Sequence, residues 1–211
     1  MKRTTLIAAA LATVLTPALA AAQPRGAYPG YYAQPPSPAP GYLDRTGRMW
    51  LGGSVGLGYM DAKGGPIQCA NCDYQPASIQ GALHIGGFLN PRLALMLELQ
   101  GNGQVVDDRI EGNVTLGQGA ALAAVQYWVS PKIWIKGGLG LSHLSYSYND
   151  SYGSAEEPIA DGGAVLGAAG IELLQSYNYS VDLQGRLIVG TYDGIDDQIT
   201  SGSIGVGLNW F

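Results

Sequence analysis

The stretch 91–104, PRLALMLELQGNGQ, decides the fold. Leu93, Leu95, Leu97 and Leu99 alternate with Ala94, Met96, Glu98 and Gln100. A period of two means an extended strand with one apolar face and one mixed face that carries charge. The run exceeds the usual soluble strand of about 5–6 residues. It matches the roughly 9–11 residues a tilted strand needs to cross a bilayer.

The pattern recurs along the chain. From Arg48 onward the alternation predicts strands near 48–60, 78–89, 91–104, 113–129, 132–146, 162–174, 179–192 and 199–211. The seventh is clear, with Tyr179, Val181, Leu183, Leu187 and Val189 opposing Asp182, Gln184 and Arg186. The fourth, rich in Ala and Gly, leaves its parity open. Short connections at Asn90-Pro91, Ser130-Pro131 and Gln175 to Asn178 alternate with longer polar segments at 61–77, 105–112, 147–161 and 193–198. Tight turns at one end and long loops at the other are the habit of membrane barrels. The expected fold is all-β, an eight-stranded antiparallel up-and-down transmembrane barrel over 48–211.

Composition agrees. Charged residues make up 13% of the chain, against about 25% in a soluble domain, too few to clothe a soluble barrel. No later segment has the long apolar run of a transmembrane helix. Met1 to Ala22 reads as a secretory signal: Lys2 and Arg3, an apolar run from Leu6 to Leu15, then Pro17 and small residues, with cleavage after Ala20 or Ala22. Without Lys2 and Arg3 the chain keeps 9 basic residues against 16 acidic ones, a net charge of −7, which argues against nucleic acid as a partner. Gln23 to Leu43 holds six prolines and four tyrosines. Residues 23–47 therefore read as a disordered, polyproline-like leader.

Aromatic residues gather where bilayer rims would lie. Trp50, Phe88, Tyr127, Trp128, Trp134, Tyr179, Trp210 and Phe211 map to the short-turn end, and Tyr59, Tyr146 and Tyr192 to the other. By parity Trp50, Phe88 and Trp134 point inward and should plug the lumen floor.

The motifs YWVSPKIWIKGGLGLS (127–142) and SIGVGLNWF (203–211) make span 48–211 resemble the small eight-stranded outer-membrane barrels of the OmpA-like transmembrane type. That resemblance implies an integral, monomeric outer-membrane protein with its leader and C-terminus in the periplasm and its long loops outside. It also implies contact with outer-membrane lipid and lipopolysaccharide, and an assembly signal at Leu208, Trp210 and Phe211 read by the barrel assembly machinery. Phe211 departs from the parity shared by Ile204, Val206, Leu208 and Trp210. No peptidoglycan-binding domain is expected after the barrel.

Turning the Leu and Val faces outward puts Arg92, Glu98, Lys136, Glu172, Asp182 and Arg186 in the lumen, three charges of each sign. Eight strands leave room only for side chains, and buried charges must be paired. A salt-bridged network is therefore expected, serving as a polar plug or as the gate of a narrow cation-preferring pore. Twelve of the 16 acidic residues fall in the four long loops, opposed there by Lys63 and Arg109. Cys69 and Cys72, a CANC in the first long loop, should form a local disulfide in a secreted chain. Zinc would need two more ligands, and His84 and His143 lie elsewhere, so neither metal nor cofactor is expected. The chain reads as a non-enzyme with a structural or surface-interaction role. One hydrolytic alternative rests on His143 and Ser145, on one strand face, with Glu157 beyond them. This trio is similar to the base, nucleophile and orienting acid of the lipid A deacylases, although Tyr146 stands where that family places Asn.

Overall fold

The structure is a computed structural model that describes residues 41–62, 65–66, 77–108, 112–150, 153–195 and 198–211. Eight strands carry the fold: β1 Met49–Ala62, β2 Ser78–Asn90, β3 Leu93–Asp108, β4 Gly112–Trp128, β5 Ile133–Asp150, β6 Gly153–Gln175, β7 Tyr179–Tyr192 and β8 Gln198–Trp210. A two-residue return, Gly65–Pro66, pairs with the outer tip of β1. Each strand pairs antiparallel with its neighbour in sequence. β1 meets β8 from Leu51↔Trp210 to Ala62↔Ile199 and closes the barrel. Closure matters physically because it leaves no unpaired edge among the eight strands.

Side-chain parity follows the sequence pattern. Leu97 is 66% exposed and Leu141 73%, whereas Glu98 on the opposite face is 1% exposed. Apolar side chains thus dominate the exterior, while the interior holds the buried polar and charged groups together with apolar clusters. The open parity of β4 resolves with Leu122, Gln126 and Trp128 inside and Val125 and Tyr127 outside. Leu122 goes inward because Leu166 and Ile188 give it apolar neighbours there.

Two boundaries differ from expectation. Segments 105–112 and 147–161, read as loops for their polarity, are mostly strand, since β3 runs to Asp108 and β6 starts at Gly153. Polar residues pair in a ladder as well as apolar ones once the hairpin continues beyond the band where outward side chains must be apolar. Three bulges adjust the register, at Phe88/Asn90, Leu144/Ser145 and Glu172/Leu174. The second accommodates Pro158 inside β6, where the ladder is already interrupted.

The interior has an aromatic floor. Trp50, Phe88, Trp128 and Trp134 cluster with Ala94, Met96 and Ala124, and Phe211 packs against them. Trp50 lies 5.5 Å from Phe88 and 5.7 Å from Trp128 by ring centroid. At the long-loop end Met60, Leu144, Tyr192 and Ile199 form an apolar cap. A Cβ at Gly170 would overlap the Trp134 indole and sit 2.9 Å from the Leu183 carbonyl. Gly170→Ala is therefore expected to cost about 1–3 kcal/mol by overpacking, read as a lower urea midpoint for the refolded barrel.

Candidate functional site

Between floor and cap lies a charged layer. Glu98 accepts from Lys136 Nζ at 2.8 Å on Oε2 and from Arg186 Nη2 on Oε1. Arg186 also donates to Gln100 Oε1 at 2.7 Å and to Gln184 Oε1 at 3.2 Å. One carboxylate thus holds two cations, and two neutral amides take further N–H···O bonds from Arg186. Lys136 Nζ stands 5.3 Å from the Trp134 ring centroid and 5.9 Å from that of Trp50, so the ammonium rests on the floor's π faces.

Toward the short-turn end, Glu172 and Asp182 are ladder partners on β6 and β7. Asn209 Nδ2 donates to Asp182 Oδ2 at 2.7 Å, and Trp50 Nε1 donates to Asn209 Oδ1 at 3.1 Å. Glu172 receives Trp128 Nε1 at 2.9 Å and both terminal nitrogens of Arg45 at 3.1 and 3.3 Å. Above the charges a neutral chain runs toward the cap: Asn102 Nδ2 to Ser201 Oγ at 2.7 Å, Ser201 Oγ to Gln118 Oε1 at 2.5 Å, and Gln118 Nε2 to the Tyr192 hydroxyl at 2.8 Å.

Of the six charges assigned to the lumen from sequence, the structure brings Glu98, Lys136 and Arg186 into direct contact. Glu172 and Asp182 lie nearer the floor. Arg92 does not join them: Pro91 and Arg92 form a turn, its amide capped by Asn90 Oδ1 at 2.9 Å, and its guanidinium lies over the Tyr42 ring at 4.3 Å. Its place among the buried cations is taken by Arg45, a residue of the segment read as leader, which is 2% exposed. The described interior thus holds three cations and three carboxylates, of which Glu98 and Glu172 are ion-paired and Asp182 is held by Asn209. The sequence holds one hint of this. The run Tyr42 to Arg48 is free of the prolines that precede it and contains Asp44, Thr46 and Gly47, a turn-forming set. Outside the strands, hydrogen bonds from the Thr46 side chain and then its backbone hold the Asp44 carboxyl below the usual carboxylate range.

The hydrolytic trio does not assemble as the sequence reading had it. His143 Nδ1 meets Asp161 Oδ1 at 2.7 Å, on the exterior, with the Asp161 side chain 85% exposed. Glu157 instead accepts from the Tyr146 hydroxyl at 3.0 Å. Ser145 pairs across the ladder with Pro158. At the chain's last strand Leu208 and Trp210 face outward, while Phe211 turns in against the floor. Cys69, Cys72 and Asp73 of the first long loop lie outside the described residues. Among the described residues no group of three or more metal-ligating side chains gathers.

No protein-family model matches the sequence, and no curated protein resembles it at the level of sequence. Solved structures do resemble its fold. The attachment invasion locus protein Ail of Yersinia pestis superposes with a TM-score of 0.53 at 12% identity, covering 78% of this chain and 99% of that one. Neisserial surface protein A superposes with a TM-score of 0.53 at 13% identity, covering 77% and 96%. What this chain shares with them is the fold of the small eight-stranded outer-membrane barrels.

Proposed function

We propose that this chain is an integral outer-membrane anchor with a closed lumen that holds its polar hairpins and acidic loops outside the cell for surface interaction. The observation that supports the reading is the interior, where an aromatic floor, a charge layer and an apolar cap follow one another along the barrel. The apolar exterior supports insertion in lipid, since an exposed Leu and Val surface of this extent has no place in water. The alternation of short turns and long hairpins supports a placement with the short turns in the periplasm and the long hairpins outside. Outer-membrane lipid and lipopolysaccharide are its expected surroundings, the barrel assembly machinery its route there, and a monomer its working form. The likeness in fold to a surface protein and an attachment protein favours a surface role over catalysis.

The test is conductance of the refolded protein in a planar bilayer, with heated and unheated samples compared on a gel to establish folding. A folded and silent barrel is the expected result. Lys136→Ala and Arg186→Ala are expected to lower the unfolding temperature and stay silent. Discrete cation-selective steps in either variant would instead make the charge layer the gate of a narrow pore.

A further inference from the structure

The residues ahead of β1 form a strap across the short-turn mouth of the barrel. Asp44 Oδ1 accepts the Thr46 N–H at 3.1 Å, and the Arg48 N–H donates to the Arg45 carbonyl at 3.0 Å. Gly47 completes this turn with a φ of 73°, a conformation that favours glycine. The turn aims Arg45 into the mouth. There its two terminal nitrogens face the two oxygens of Glu172, itself 2% exposed. Its guanidinium carbon lies 3.7 Å from the Phe211 ring centroid and 5.8 Å from that of Phe88. Trp128 Nε1 shares the same carboxylate at 2.9 Å.

This is a site built for one chemical group. Two parallel N–H···O bonds on a carboxylate, with an aromatic face above, fit a planar guanidinium and not an ammonium. On either side of Arg45 the strap is pinned again. Arg48 donates to the Phe211 and Tyr177 carbonyls, each at 2.6 Å, and Tyr42 lies under Arg92 at 4.3 Å. The strap therefore crosses from the β2–β3 turn to Phe211, the residue just past β8. The β1–β8 pairing it covers is the one seam of the barrel that no hairpin joins.

We infer that the short-turn mouth is a guanidinium-binding site, formed by Glu172, Trp128, Phe88 and Phe211, which Arg45 fills in cis to lock the β1–β8 seam. Withdrawal of Arg45 leaves a buried carboxylate without its cation and removes one of the two ties, the other being Arg48, between the strap and Phe211 at the end of the seam. The site is defined by its lining and holds whichever surface role the outer hairpins serve.

Two measurements on the refolded full chain test it. In the first, trypsin is added to the folded barrel and the fragment beginning at Thr46 is followed by mass. Wild type is expected to resist cleavage after Arg45, and Glu172→Gln, which keeps the volume and removes the charge, to be cut there at least tenfold faster while still folded. In the second, Arg45→Ala is melted, or its refolding yield scored if it folds poorly, with and without millimolar methylguanidinium. The added cation is expected to restore Arg45→Ala and to leave the Arg45→Ala/Glu172→Gln double variant unchanged, with methylammonium restoring neither. Equal trypsin cleavage in wild type and Glu172→Gln would overturn the proposal. So would methylguanidinium that helps neither variant or both alike.

Discussion

Glu98→Ala is expected to remove roughly 3–5 kcal/mol of stability, the scale for leaving a buried charge without its partner. The effect is large because one carboxylate serves two cations, Lys136 and Arg186, each with its side chain 2% exposed. Without Glu98 both are left buried without their shared carboxylate, a state relieved only by drawing in water or by local rearrangement. Gln100 and Gln184 can still accept from Arg186, so Lys136 is left worse off. Adding Lys136→Met to Glu98→Ala should therefore recover much of the loss, although it deletes a second polar group. The measurement is equilibrium unfolding in urea of the barrel refolded into vesicles, with the two single variants and the double closing a thermodynamic cycle. Additive losses would mean that the two side chains do not depend on each other. The deficit should also change little with salt, because screening acts on exposed pairs.

The fold and the middle of the lumen were legible in the sequence for the same reason. A strand exposes its parity directly, so one apolar series, such as Leu93 to Leu99, states which face each intervening residue takes. Glu98, Lys136 and Arg186 lie within their strands, clear of the turns, and inherit the inward direction without any knowledge of register. What parity cannot supply is contact between distant elements. Arg45 reads as one arginine within the leader, and its meaning comes from Glu172, 127 residues later. Arg92 carries strand parity on paper, but Pro91 and the Asn90 cap turn the chain before parity applies. The partner of His143 depended on a bulge. In the outer part of the β5–β6 hairpin Tyr146 faces Glu157 and Ser145 faces Pro158, and an unbroken ladder would set Ala160 against His143. The shift between Leu144 and Ser145 brings Asp161 there instead. One extra residue changes the partner, and nothing in the period of the sequence marks where a strand will bulge.

Trp50→Ala is expected to cost about 3–5 kcal/mol, as for other large aromatic truncations in a core, and to leave the barrel silent to ions. Trp50 is 1% exposed and sits at the centre of the floor, with His84, Phe88 and Trp128 centroids within 4.5 to 5.7 Å. Its indole N–H also holds the Asn209 oxygen, and Asn209 in turn donates to Asp182. Truncation thus opens a cavity and loosens the neighbour of a buried carboxylate in one step. Water entering from the short-turn side would then reach Lys136, whose ammonium rests against the Trp50 face. It would not reach the other end. Ala120, Leu122, Leu166 and Ile188 line the next stretch of the lumen, and Met60, Leu144, Tyr192 and Ile199 close the cap beyond them. Loss of stability without conductance, measured by urea unfolding and planar-bilayer recording on the same preparation, would show that the seal is distributed along the lumen. Discrete current steps in Trp50→Ala would place the whole barrier in the floor and make this barrel a pore held shut by one indole.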